Sequence, residues 1–136
     1  MKYLLDTNVV SDFARGHPSV LERIKRSDPG WLGISSITAM EIEFGLRLHP
    51  ERTRKLAPVL EALLSAITLL DFSVADAHAA AGLRATLQKR GTLIGAYDIL
   101  LAGCALQRKL TFVTANTAEF ARIDGLLLEN WRNETA

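Results

Sequence analysis

This chain has little of what marks several whole classes of protein. Its one cysteine, Cys104, lies in an apolar helical stretch, so no internal disulfide forms, and no Cys/His cluster with zinc spacing is present. No run of about 18 apolar residues offers a transmembrane helix. No charged-then-apolar leader opens the chain, and a cytoplasmic location is the expectation. Neither sign of charge is in excess: 16 basic against 15 acidic residues leave a net charge of +1. Bulk charge therefore exerts no strong pull on nucleic acid, and any such binding must rest on a local patch or on metal ions. No P-loop, Gly-rich nucleotide fingerprint or Ser-His-Asp order occurs. Repeats, linkers and low-complexity tracts are also missing. The 136 residues, 49% hydrophobic and 23% charged, therefore read as one ordered domain able to bury a real core.

What is present is a regular alternation. Tyr3-Leu4-Leu5 is a short apolar run that stops at Asp6 and gives way to Thr7-Asn8, the pattern of a buried strand with an acid at its carboxyl end. In open α/β sheets that edge is where ligands bind. A short helix is expected over Val9–Arg15, with Thr7 or Asn8 as its cap, and a second from Pro18 through Ser27. After the Asp28-Pro29-Gly30 turn, Trp31–Ser35 reads as a strand. The next helix, Ile37–Leu48, carries Ile37, Met40, Phe44 and Leu48 on one face, with Glu41 at its border. Further helices are expected over Glu51–Ala66 (core stripe Leu56, Val59, Leu60, Leu63 and Leu64), from the Ser73 cap to Arg90 before Gly91, from Asp98, and around Ala118–Ile123. Thr68–Phe72, Leu110–Thr114 and Leu126–Leu128 complete the strands. Strands alternating with helices imply parallel pairing with right-handed crossovers. The expected fold is a three-layer α/β domain with a small, mostly parallel central sheet flanked by helices.

Asp6, Glu41, Asp98 and Glu119 each have a plain reading. The two Asp residues would serve as helix caps, and the two Glu residues as solvated helix charges. Together they read differently. Glu41 and Asp98 border apolar faces, where an unpaired carboxylate is costly, and clustered carboxylates repel unless a cation neutralises them. Mg²⁺ or Mn²⁺ favours such all-oxygen sites. Asp12, close after Asp6, is the reserve acid; Asp71 and Asp76 rank below it. His17, His49 and His78 are scattered, and the first two precede prolines at helix starts, which suits surface positions. Gly95, just before Asp98, fits a close backbone approach. Trp31 and Trp131 read as packing residues. The basic pairs, Arg108-Lys109 among them, read as solvated faces, some within reach of phosphate.

The segments L-L-D-T-N (Leu4–Asn8), S-S-I-T-A-M-E (Ser35–Glu41), G-A-Y-D (Gly95–Asp98) and V-T-A-N-T-A-E-F (Val113–Phe120), with the closing G-L…E-N-W (Gly125–Trp131), together resemble a PIN domain. More narrowly, they resemble the VapC ribonuclease toxins of type II toxin–antitoxin modules. The resemblance spans essentially the whole chain, so residues 1–136 are taken as a single PIN domain. It implies that Asp6, Glu41 and Asp98 are the three invariant-type acids. It further implies that the fourth is Glu119, in the N-T-x-E-F segment shared with enteric-like VapC proteins. Other PIN proteins place an Asp where this chain has Asn116, which leaves the roles of Asn116 and Glu119 open between them. The resemblance also implies an endoribonuclease dependent on Mg²⁺, with Mn²⁺ as substitute. It would act as a homodimer and be inhibited by a cognate VapB-type antitoxin, through which alone DNA is contacted. The expected RNA is initiator tRNA, cut in the anticodon loop. Thr7, Asn8, Thr114 and Asn116 would orient the acids or the phosphate by hydrogen bonds.

Two rivals stand beside this reading. A phosphatase with Asp6 as covalent nucleophile would need an acid where Asn8 stands and a nearby lysine. A catalytically silent PIN module that binds RNA or protein would keep the fold alone, and the complete set of acids argues against it. A housekeeping RNA-processing nuclease would keep the acids too, and would differ in having no antitoxin reading frame beside its gene and causing no growth arrest.

Overall fold

The five strands are β1 (Tyr3–Leu5), β2 (Leu32–Ser35), β3 (Thr68–Leu70), β4 (Thr111–Val113) and β5 (Leu128–Glu129). In the computed structural model, which describes residues 1–132, they form one parallel sheet in the order β3-β2-β1-β4-β5. The helices are α1 (Thr7–Ala14), α2 (Pro18–Arg26), α3 (Ser36–Leu48), α4 (Pro50–Ala66), α5 (Val74–Lys89), α6 (Ala96–Arg108) and α7 (Thr117–Phe120). Alternate strand residues point to opposite sides. Leu4 and Phe112 enter one core with Ala80, Leu87, Ile99 and Ala102 of α5 and α6. Leu5, Ile34 and Val113 enter the other with Val10, Val20, Ile24, Leu60 and Leu63 of α1, α2 and α4. Both faces are thus covered, which is why these strands are nearly all apolar. The α5–α6 pair meets backbone to backbone: a Cβ on Gly103 would lie 2.8 Å from the Ala80 nitrogen.

The sheet grows outward from β1 in both directions. The chain lays β2 and β3 on one side, then crosses back to place β4 on the other. The order reverses between β1 and β4, and a crevice opens there at the carboxyl ends of the strands.

Several expectations need correction. Asp6 itself, not Thr7 or Asn8, is the N-cap of α1, and its carboxylate accepts the Thr7 N–H. Trp31 closes a 3₁₀ turn (Pro29–Trp31) ahead of β2. It is half-exposed, with the Lys2 ammonium 4.0 Å above its ring. Helix α6 starts at Ala96, so Asp98 lies in its first turn and Gly95 is the cap. Most of the apolar face of α3 points outward: Met40, Phe44 and Leu48 are 40, 59 and 58% exposed, whereas Ile37 packs against the α5–α6 core and Thr38 and Ile42 turn inward. Val59 also leaves the α4 core stripe for the surface. Arg108 is no solvated charge. It donates through Nε and Nη2 to the fully buried Asp76 and through Nη2 to the Asp71 carbonyl. Asp76 also receives Gln107 and closes a capping box with Ser73, tying α5 to α6.

Candidate active site

Four separated segments deliver carboxylates to the crevice. Asp6 follows β1, Glu41 stands in the second turn of α3 after β2, Asp98 in the first turn of α6, and Glu119 in α7 after β4. Asp6 is 6% exposed and both its oxygens accept hydrogen bonds. Oδ1 accepts the Thr7 N–H at 2.7 Å; Oδ2 accepts the Thr114 hydroxyl at 2.8 Å and the Asn8 amide at 3.2 Å. The Thr7 hydroxyl donates to Glu41 Oε1 at 2.8 Å, so one residue orients two acids. Asn8 also accepts the Ala115 N–H at 3.4 Å, and Thr114 Oγ1 accepts the Asn116 N–H at 3.1 Å, which cross-links the β1 and β4 ends. Asn8 thus serves as a brace where the phosphatase rival would need an acid.

Asp98 accepts no hydrogen bond from any described residue, which removes its reading as a cap. The missing side chain of Gly95 makes room for it: a Cβ there would sit 2.9 Å from Asp98 Oδ2. Burial, then the charges of Asp6, Glu119 and Glu41, push its carboxyl up to about 6. Burial also pushes Asp6 up and Glu41 adds to this, while hydrogen bonds from Thr114, Thr7 and Asn8 hold it down. Asp98 therefore senses the charge of the other three acids, and Asp6 that of Glu41.

An open cleft of about 440 Å³ occupies this edge, walled in part by Asp6, Glu41, Asp98 and Asn116. Glu119 stands behind that wall. Its Oε1 lies 3.4 Å from the Gly95 N–H, and its Oε2 accepts the Asn116 amide. Asn116 thus faces the cleft and is steered by Glu119. All the expected site residues meet here. The donor set, carboxylates with hydroxyl and amide neighbours and no nitrogen or sulfur ligand, suits a hard divalent cation. Among the described residues no three His, Cys, Asp or Glu side chains stand close enough together to hold an ion between them.

The cleft also contains residues outside the expected set of four acids and their hydrogen-bonding neighbours. Asp12, the reserve acid, lines it but is committed to a two-pronged ion pair with Arg132. Arg15 lines it too. The signal was legible for Arg15, since Thr7, Ser11 and Arg15 recur every four residues along one face of α1. For Arg132 there was none.

Comparison with known proteins agrees with this geometry. Residues 3–126 match the PIN domain family. The chain is 36% identical over 131 residues to the tRNA(fMet)-specific endonuclease VapC of Shigella flexneri, covering 96% of this chain and 98% of that protein. It is 36% identical to Ribonuclease VapC2 of Haemophilus influenzae over the same shares. Among solved structures, DNA-bound VapBC from Salmonella typhimurium superposes with a TM-score of 0.88 at 36% identity, covering 96% of this chain and 98% of that one. VapBC2 from Rickettsia felis, bound to a promoter DNA fragment, gives 0.85 at 32% identity, covering 96 and 99%.

Proposed function

The chain belongs to the PIN-domain family and, within it, to the VapC ribonucleases, and from that premise we propose that it is a toxin whose acidic cleft hydrolyses RNA phosphodiesters with a bound Mg²⁺ or Mn²⁺ ion. The convergence of Asp6, Glu41 and Glu119 around Asp98, whose charge each of them opposes, at the sheet's switch point carries the reading. Asp6, Glu41 and Asp98 would hold the cation, and Glu119 would complete the set directly or through Asn116. When bound, such an ion supplies charge neutralisation and Lewis acidity toward a phosphoryl oxygen. The protein's own part is orientation. Thr114 and the α1 amide fix Asp6, Thr7 fixes Glu41, and Gly95 gives Asp98 its space. Selectivity for RNA would come from shape and unpaired bases. The relatives named tRNA(fMet)-specific support initiator tRNA as the substrate. The VapBC–DNA structures support a VapB-type antitoxin as partner, and in this reading the chain meets DNA only through it. Residues 1–136 act as a single PIN domain in this reading, in the cytoplasm; no helix among the described residues is long and apolar enough to cross a membrane.

The direct test incubates purified protein with total tRNA in Mg²⁺, Mn²⁺ or EDTA and maps the ends. Cleavage in the initiator anticodon loop, leaving 5′-phosphates and absent in EDTA, is the expected result. Equal cutting in EDTA would overturn the metal role, and ends confined to rRNA the substrate.

The outward stripe of α3 supports a homodimer, since three large apolar side chains four residues apart form a row that a second copy would cover. Phe44→Glu is expected to convert the protein to a monomer by light scattering while its circular dichroism is unchanged. A variant that stays dimeric would place the interface elsewhere.

A further inference from the structure

We propose that Arg132 is a ligand for the RNA backbone: its guanidinium, pinned to the cleft wall by Asp12, binds a substrate phosphate in the cleft that Asp6, Glu41 and Asp98 line. The inference rests on the nuclease reading above. A cleft walled by acids repels a polyanion. A divalent ion relieves this only at the scissile phosphate, and flanking phosphates need cations of their own.

The placement of Arg132 is built, not incidental. Trp131, 1% exposed, anchors the segment after β5. Its ring meets Tyr3 edge-on at 5.3 Å and is covered by the Arg23 guanidinium at 4.7 Å. Its Nε1 donates to Glu129 at 3.0 Å, and its carbonyl accepts the Ser19 hydroxyl. The next residue is thereby delivered to the cleft, where Arg132 donates through Nε and Nη2 to the two oxygens of Asp12. Asp12 is buried, so the pair is mutually required at this spot.

The donor count gives the pair its use. A guanidinium has five N–H groups. Asp12 takes two, on the Nε/Nη2 edge, and three remain on the Nη1/Nη2 end. That end is the fork that grips a phosphate through two oxygens, and the side chain is 44% exposed. Asp12 has a second effect. An unrestrained arginine at this edge would fold onto Asp6 or Glu41 and neutralise the metal site; held by Asp12, it attracts the substrate and leaves those acids free. Asp12 is in this sense a positioning residue.

The test compares wild type, Arg132→Gln, Arg132→Lys and Asp12→Asn with a short fluorescein-labelled single-stranded RNA. Kd is measured in EDTA across a KCl series, and kcat and KM in Mg²⁺. Arg132→Gln is expected to raise Kd and KM about tenfold, with kcat within about threefold, and to reduce the slope of log Kd against log salt by about 0.7, one phosphate contact on a single strand. Arg132→Lys keeps its charge and its partner, so it folds and retains the slope, but it loses the fork and raises KM several-fold. Asp12→Asn raises KM with the slope unchanged, because the cation is still present but unheld. If Arg132→Gln melts lower yet keeps wild-type Kd, KM and slope, Arg132 only fastens the C-terminal segment and the proposal falls. Wild type that binds no RNA in EDTA and shows no saturation in Mg²⁺ overturns it equally. Wild type that binds but never cuts would sink the nuclease reading instead, with the Kd series still deciding Arg132.

Discussion

Asp98→Asn is expected to lower RNA cleavage by at least about 1000-fold and to make the metal-free protein more stable. The loss corresponds to about 4 kcal/mol of transition-state stabilisation, a reasonable cost for removing one carboxylate from a cation site. The gain follows from the same chemistry. In the absence of a cation, burial and the charges of Asp6, Glu119 and Glu41 raise this carboxyl from its ordinary 3.8 to about 6. A raised acid destabilises the fold in its charged form. The penalty is complete above pH 6, shrinks on acidification, and vanishes below 3.8, where folded and unfolded chains are both protonated. Because Asp98 is only half-buried, solvent screening reduces the effect to about 1 kcal/mol, or about 3–5 °C in Tm for a chain of this length. Asn at this position also leaves no donor orphaned, since Asp98 accepts no hydrogen bond from any described residue. Melts in EDTA at pH 7.5 should therefore place the variant above wild type, and added Mg²⁺ should raise wild type more than the variant. A variant that melts lower in EDTA, or cuts like wild type, would remove Asp98 from the site.

Asp76→Asn is expected to cost about 2 kcal/mol at pH 7 and to leave cleavage per folded molecule unchanged. Burial alone would push this carboxyl up. Hydrogen bonds from Arg108, the Ser73 N–H and Gln107, with the Arg108 charge, outweigh that and hold it at about 2, against an ordinary 3.8. A depressed acid contributes stability above its unfolded pKa and loses it as pH falls through its folded one. The difference is worth about 2 kcal/mol. Urea melts should therefore show a full deficit for the variant at neutral pH that closes between about pH 4 and pH 2. An equal deficit at pH 7 and pH 2 would mean that the network acts through packing and not through charge.

Much of the fold was legible because its signals are local. The run Tyr3–Leu5 ending at Asp6, the Ser73 cap, the stop at Gly91 and the Leu110–Thr114 run each depend on a few neighbouring residues, and each element appears within about three residues of its expected place. The start of α6 was misplaced because an acid in the first turn and an acid at the cap share one preference for the helix N-terminus. The α3 stripe was read correctly as one face, but spacing says only that Met40, Phe44 and Leu48 lie together. It does not say what they lie against.

The sequence by itself determined the alternation of strands and helices, with Asp6 at the end of the first strand, because periodicity and caps are local; its resemblance to the PIN family singled out the four acids. The tertiary structure alone decided which α3 face turns outward, that Arg108 serves buried Asp76, and that Asn116 fronts Glu119 at the cleft. It also decided that Asp12 is held by Arg132, 120 positions away. Such pairings depend on where distant segments meet once both faces of the sheet are covered, and no local pattern encodes that meeting.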